Sequence, residues 1–501
     1  MISAGKYNRE DRGYVDIQDH ALIGNMRTAA LISIDGSVES YCVPNFDSPS
    51  IFARILDKDK GGHFGIKPTI DHSSKQAYLP SSNVHFFRFL ADEGVAQVTD
   101  FLPRQTNTGV AANKPLLFWL VRRVEVIRGK VPIRMECCPA FDYARAAHET
   151  QFLPDDSQPP GASHEKVVFR SRDLTLDLRY VTDTAPDLDL EKPQLKLGVG
   201  VCAEFELVEG QIITFLLRTP PETQKASEHT KPTKEQAEAL GIPLEMLVQG
   251  ASKLRPKDDP VLTPALVNGL LQDTTAFWQG WISKSTYRGS WREAVHRSAL
   301  ALKLLIFEPT GAIVASPTFS LPEHIGGTRN WDYRFSWIRD SSFTLYALIR
   351  LGFTEEANAY MDFIFRRLQQ RNPDGSLNIM QVIPGPGILP PRYTIHGTTD
   401  LEEIELTHLD GHKGSKPVRI GNGAGTHLQL DIYGMGYATS IKLVYWELWK
   451  AVRELVDYAA ANVDRKDLSI WEVRNHERNF TYSKVMLWVA MDRGLRLAGK
   501  S

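Results

Sequence analysis

TAALISIDGSVESYCV, residues 28–43, sets two apolar, β-prone runs (28–34 and 38–43) on either side of Asp35-Gly36. An Asp-Gly pair between such runs is the strongest short-range hairpin signal, because both central positions of the favoured two-residue turn need φ above zero. Working outward, the arrangement recurs. Runs 84–90 and 95–102 flank Glu93-Gly94, 116–127 and 131–138 flank a turn carrying Gly129, and 195–207 and 211–217 flank Glu209-Gly210. Within 167–180, Leu174, Leu176, Leu178 and Tyr180 alternate with polar residues. Many strands joined by tight turns predict an antiparallel β-sandwich over residues 1–220, not a parallel α/β sheet.

The period then changes. Residues 221–265 are rich in Lys, Glu, Pro and Thr and read as a linker. From 266 onward, stretches 266–281, 291–307, 341–351, 355–368, 443–461 and 482–497 place apolar residues at three- and four-residue intervals, as amphipathic helices do. Between them lie Gly- and Pro-rich loops at 308–338 and 371–426, which hold most of the Trp, Tyr, Arg, Asp and His able to do chemistry. Loops this long inside a compact domain are usually functional or disordered. The expectation is a multidomain β + α chain whose helical part, 266–501, carries the site on its loops.

Bulk properties narrow the classes. The chain has 501 residues, enough for two to four domains at roughly 100–200 residues each. Its net charge of −2 offers no global field for nucleic acid, a membrane surface or acidic substrates. Four cysteines, two of them the adjacent Cys137 and Cys138, make neither a disulfide framework nor a C-x-x-C zinc site. Residues 1–14 are polar, with no signal-peptide core, and no run of about 18 apolar residues could span a bilayer. A cytoplasmic enzyme or binding protein is expected, while oligomeric state is not readable. His408, His412 and His427 lack the i, i+4 pairing of a helical zinc site, and no D-x-D-x-D-G calcium loop occurs, so neither metal nor cofactor is expected. The final GLRLAGKS, 494–501, fits the phosphate-loop pattern by chance: a helical stretch precedes it, where that loop needs a strand before and a helix after.

Three constellations could carry chemistry. TRNWDYRFSWIRD, 328–340, runs into a helical stretch. Flat aromatics can cover the C–H face of a sugar while Arg and Asp bind vicinal hydroxyls in charge-assisted hydrogen bonds. The same segment also reads structurally, with Asp340 capping a helix that starts at Ser341, Arg339 paired with a carboxylate, and both Trp in the core. In LSIWEVR, 468–474, Trp471 stands beside Glu472, and an aromatic neighbour can desolvate a carboxyl and keep it protonated as a general acid requires. A packed Trp next to an exposed Glu is the plain alternative. In GSKPVRIGN, 414–422, Arg419 and Asn422 could donate to a ligand, or the Arg could hold neighbouring carbonyls; Gln429, Asp431 and Tyr433 follow.

In this order the three constellations resemble glycoside hydrolase family 15, in the branch that joins a trehalase-like N-terminal β domain to an (α/α)6 barrel. The resemblance is carried by the motifs at 23–31, 35–37, 44–49, 100–103, 141–143, 320–323, 330–340, 417–422, 429–431 and 471–472, nearly the whole chain. It implies an exo-acting, inverting α-glucosidase of the glucoamylase or trehalase type. Glu472 matches the general acid, and Arg339 and Asp340 match the pair that binds the non-reducing glucose. Trp337, Arg419 and Trp471 are implied as further substrate-binding residues. An inverting mechanism also needs a second carboxylate about 6.5–9.5 Å from the acid.

The family's base lies well downstream of the acid, and only 29 residues follow Glu472 here, so the resemblance implies a C-terminally truncated chain, a partial barrel and no hydrolysis by the chain alone. The stretch 382–392 reads as inserted, and Met435 stands where an acidic residue is expected after the glycine. Hydrolysis of trehalose or of an α-glucan end competes with two other readings: a phosphorylase on a similar barrel, and a non-catalytic carbohydrate-binding protein.

Overall fold

Gly36 takes φ +86°, its N–H donates to the Ser33 carbonyl at 2.9 Å, and a Cβ added there would stand 2.3 Å from the Ile66 carbonyl oxygen. Only glycine turns the chain so close to its neighbour. The structure is a computed structural model describing residues 12–104, 116–157, 164–182, 188–195, 198–220, 259–368, 392–399, 402–435, 446–473 and 476–499. Contacts divide the chain into two units, Met1–Ser283 and Lys284–Ser501.

The described strands of the first unit are β1 (His20–Gly24), β2 (Ala29–Ser33), β3 (Ser37–Cys42), β4 (Ser50–Phe52), β5 (His63–Pro68), β6 (Ser73–Tyr78), β7 (His85–Leu90), β8 (Gly94–Phe101), β9 (Trp119–Cys138), β10 (His148–Pro154), β11 (Glu165–Ser171), β12 (Thr175–Thr182), β13 (Gln194–Leu195), β14 (Gly198–Val199), β15 (Val201–Val208) and β16 (Ile212–Arg218). The main sheet is antiparallel and runs β1-β2-β3-β5-β9-β16-β12-β11-β10, with β8 and β15 also on β9. The hairpins expected at Asp35-Gly36 and Glu93-Gly94 form as β2–β3 and β7–β8.

The turns expected at Gly129 and at Glu209-Gly210 are not hairpins. β9 continues through Gly129 (φ +72°), its first half pairing with β8 and β16 and its second with β5 and β15. β15 and β16 do not pair with each other; they follow β9 end to end, and Gly210 (φ +83°) donates to Val126 where the two tracks bend together. Strands that pass from one sheet face to another do so through bulges and bends, and these want glycine at positive φ as much as a two-residue turn does. One hydrophobic cluster takes Ile32, Phe64 and Ile133 from one half and Phe87, Val98 and Phe215 from the other.

A buried ion pair crosses this core. Arg122 donates to Asp100 (2.9 and 3.2 Å), to the Gly36 carbonyl at 2.9 Å and to the Phe64 carbonyl, so one guanidinium ties the first turn to β5, β8 and β9. Asp100→Asn would strand that cation in a fully buried site, and a loss of about 3–5 kcal/mol in urea unfolding is expected. A loss under about 1 kcal/mol, the ordinary range of surface changes, would contradict this role.

A second network predicts acid sensitivity. The hydrogen bond from His63 (3.3 Å), with Arg134 and against burial, holds the Glu136 carboxyl at about 2. Because the folded value lies below the ordinary 4.5, this stability is whole above about pH 4.5 and is lost as pH falls toward 2. Glu136→Gln should flatten the decline of the urea midpoint over that window; superimposable curves for variant and wild type would exclude the effect.

Helix Pro264–Ile282 opens with Thr263 as N-cap, its Oγ1 accepting from the Leu266 N–H at 3.1 Å, and with Pro at the first position. Assigned from sequence to the helical part, this helix instead packs in the first unit, where Val267 and Leu270 join Phe101, Trp119 and Leu216. A helical period reveals an apolar stripe but not the surface that stripe will meet.

The second unit holds helices Arg292–Leu304, Ile338–Arg350, Glu355–Leu368, Trp446–Ala461 and Thr481–Ala498, close to the stretches that periodicity marked, and the single turn Ile432–Met435, which periodicity did not mark. Gly494 lets the last of these approach Trp446–Ala461, since a Cβ there would lie 2.6 Å from Val456. Among the described residues no helix is long and apolar enough to cross a membrane. Residues 221–258 of the expected linker, 382–391 of the stretch read as inserted, and 436–437 after Met435 lie outside the described residues.

Candidate active site in the helical unit

The segment that matters most enters through a short strand pair, Phe319–Pro322 with Asn330–Asp332. Asp332, fully buried, accepts from the backbone N–H of Arg334 (3.1 Å), from its Nε (2.9 Å) and Nη2 (2.7 Å), and from the Gly421 N–H (3.1 Å). This saturated carboxylate fixes the turn that leads to Ser336–Trp337 and then to helix Ile338–Arg350. The helix begins three residues earlier than expected, with Trp337 as N-cap and no side-chain cap bond. Asp340 therefore does not cap it but sits in its first turn, where a carboxylate faces the positive end of the helix dipole.

Glu472 arrives from a turn with two non-glycine residues at positive φ, Ser469 (+54°) and Glu472 itself (+49°). Such conformations cost of order 1–3 kcal/mol each and persist where the surroundings enforce them. Here Asp467 enforces them: its Oδ2 accepts from the Leu430 N–H (2.9 Å) and the Ser483 hydroxyl (2.7 Å), while Leu468 N–H donates to Leu428 (2.9 Å). The turn is thereby pinned to the segment carrying Gln429 and Asp431 and to the start of the last helix.

The result is one hydrogen-bonded chain. Arg339 Nη1 donates to Asp431 Oδ2 at 3.1 Å and to Gln429 Oε1 at 2.9 Å. Gln429 Nε2 donates to Glu472 Oε1 at 3.0 Å, and the Trp337 indole N–H donates to the same oxygen at 3.1 Å. Arg339 can only donate, which fixes the orientation of the Gln429 amide. Since Oε1 accepts from two donors, a proton on Glu472 belongs on Oε2, and no described residue bonds that oxygen. Burial raises the Asp431 carboxyl, with Arg339 opposing.

The expected residues separate accordingly. Glu472, Trp337 and Arg339 are linked as described, and Asp340 lies beside them, 3.7 Å from Arg339 Nη2. The Asp340 side chain is 47% exposed yet walled by surrounding protein, and that crowding, with Glu472's charge, raises its pKa against the pull of Arg339. It is accessible to a ligand. Trp471 is 68% exposed, and the aromatic that touches Glu472 is Trp337, because the strained turn sends neighbouring side chains in different directions. Arg419 is held elsewhere: it donates to the Thr328 carbonyl (2.8 Å) and Glu405 (3.1 Å), lies 3.4 Å from Glu403, and stacks over Trp331 at 4.8 Å. Asn422 donates to the Asp332 carbonyl and caps Ala424, so the 414–422 segment follows the structural alternative.

Three residues of this neighbourhood were not singled out from sequence. Gln429 stood in a quoted motif without a role. Tyr333, its hydroxyl pushed up to about 12 by burial and by the charges of Glu323 and Glu472, has its ring 5.9 Å from that of Trp337. Arg392 pairs with Trp337 across a two-residue strand and lies over its ring at 5.4 Å; burial lowers its pKa to about 10, against the charges of Glu472, Asp332 and Glu403. It fell inside the stretch read as inserted, and only its backbone pairing reveals it.

Comparison with known proteins agrees with these motifs. A family model described as glycosyl hydrolases family 15 matches residues 289–500, and one described as trehalase-like, N-terminal matches residues 11–184. The trehalase of Thermoplasma volcanium is 32% identical over 496 residues, covering 97% of this chain and 67% of that protein. The trehalase of Mycolicibacterium smegmatis is 34% identical over 505 residues (96% and 66%), and that of Mycobacterium tuberculosis 33% over 507 (96% and 65%). The chain thus spans about two thirds of the length of these relatives.

Proposed function

This chain belongs to glycosyl hydrolases family 15, and on that premise we propose that it hydrolyses an α-glucoside, with trehalose as the first substrate to test. The observation that supports this most is the continuous link from Arg339 through Gln429 to Glu472. It gives one site both a cation–carboxylate pair able to grip hydroxyls and a carboxyl whose free oxygen can carry a proton. In this reading Arg339 and Asp340 hold the non-reducing glucose. Glu472 protonates the leaving glycosidic oxygen from Oε2 while water attacks the anomeric carbon from the opposite face and gives its proton to the second carboxylate that inversion requires, and Trp337 and Gln429 keep Oε1 as an acceptor. The exposed Trp471 serves as an outer platform for a sugar face. Arg419, bonded to the Thr328 carbonyl and Glu405, is left out of this assignment. The helices from Arg292 onward are read as part of an (α/α)6 barrel.

The test is release of glucose from trehalose and from maltooligosaccharides by the purified protein, followed by NMR of the first-formed anomers. Inversion at the attacked carbon of an α-glucan gives β-glucose first, and inversion of trehalose gives one β- and one α-glucose. α-Glucose alone from the glucan would contradict inversion. Phosphate-dependent release of a sugar phosphate would favour the phosphorylase reading. Sugar binding with no release under any condition would favour a carbohydrate-binding protein, and the same assay judges whether the chain is inactive by itself.

A further inference from the structure

Gln429 is fully buried and lies between the two charged groups on which the proposed reaction depends. Its carbonyl oxygen accepts from Arg339 at 2.9 Å and its amide nitrogen donates to Glu472 at 3.0 Å. A primary amide accepts from a cation at one end and donates to a carboxylate at the other without carrying charge or titrating. An ionised Glu in its place could accept but not donate; a Met could do neither. The partners have other anchors, Arg339 to Asp431 at 3.1 Å and Glu472 to Trp337 at 3.1 Å, so loss of Gln429 would loosen the link without emptying the site.

We propose that Gln429 is a positioning residue that transmits the placement of the sugar-gripping Arg339 to Glu472 and holds the acid's proton on the oxygen facing the leaving group. The inference rests on the hydrolase reading above. It acts through geometry: with Oε1 tied by two donors, the carboxyl cannot rotate to exchange its oxygens without breaking both bonds. With one donor removed, the carboxyl rotates more freely, and the protonated oxygen spends part of its time turned away from the bond to be cleaved. Asp340 and the Arg339–Asp431 bond remain to hold the sugar when the amide is lost, since Arg339 Nη1 keeps its second acceptor.

Steady-state kinetics on trehalose for Gln429→Met and Gln429→Glu test this. Both should lower kcat about 10- to 100-fold, the loss of one hydrogen bond to a charged group, with KM within about threefold of wild type. Gln429→Glu preserves shape and the contact to Arg339 but sets a second carboxylate against Glu472, so it is read beside the uncharged Gln429→Met: kcat near wild type in either variant overturns the proposal. A rise in KM with kcat intact overturns it equally. Should Gln429→Met fail to fold, the isosteric variant alone carries the decision. Glu472→Gln separates the two levels: if it retains activity, or if wild type has none, the hydrolase reading falls and this inference with it. If Glu472→Gln is inactive while either Gln429 variant turns over normally, only the positioning role falls.

Discussion

Glu472→Gln is expected to lower turnover of an α-glucoside about 10²- to 10⁴-fold or more, the range that a positioned proton donor contributes. Binding of the sugar should stay within about threefold, because an amide of the same shape still meets the ligand in its ground state. The effect separates cleanly from stability. Glu472 accepts two hydrogen bonds at Oε1, and an amide oxygen there can accept both. Its Oε2 bonds no described residue, so the new –NH₂ displaces no donor. Unfolding in urea should therefore be close to wild type. Glucose release by the variant at a rate near wild type would remove Glu472 from the chemistry.

The second large effect is expected at Asp340. Its carboxylate is half exposed and lies in the first turn of its helix, where burial raises its pKa against the pull of Arg339. That exposure lets it accept from the hydroxyls of a ligand. Hydrogen bonds to a charged group contribute about 1.5–3 kcal/mol, so Asp340→Ala should weaken sugar binding about 10- to 150-fold, read by calorimetry or as KM. Its structural role is small: a first-turn carboxylate contributes about 0.3–1 kcal/mol through the helix dipole. A variant that binds as tightly as wild type would show that the ligand lies elsewhere. One that unfolds would show that the carboxylate is structural after all.

How far the sequence reached depended on whether a feature was local. Helices Ile338–Arg350, Glu355–Leu368 and Thr481–Ala498 lie close to where their periodicity marked them, because an apolar stripe is a property of a few consecutive turns. The Asp35-Gly36 and Glu93-Gly94 hairpins were legible for the same reason. Gly129 and Gly210 misled because a tight turn and a shared bend ask the same of a glycine. What distinguishes them is the pairing of β9 with β15 and β16, residues more than 60 positions apart in sequence.

The site shows the same division. Arg339, Asp340 and Glu472 carried motifs, and the structure brings the first and last together through Gln429. Trp471 was expected to shelter the acid because it is its sequence neighbour, yet the indole that reaches Glu472 comes from 135 residues away, at Trp337. Arg419 sat in a motif that reads as ligand-binding, but its donors hold the 328 and 403–405 segments in place. Arg392 had no sequence signal, since its relation to Trp337 exists only across a strand pair. Local pattern identified the charged groups; it could not assign them their partners.

The most direct measurement is a crystal structure of the protein with a non-hydrolysable α-glucoside bound. The terminal glucose should bond Arg339 and Asp340, and the atom replacing the glycosidic oxygen should lie about 2.6–3.2 Å from Glu472 Oε2, with Oε1 still held by Trp337 and Gln429. A sugar seated away from Arg339 and Asp340, or one whose scissile position faces no oxygen of Glu472, would contradict the assignment of the site.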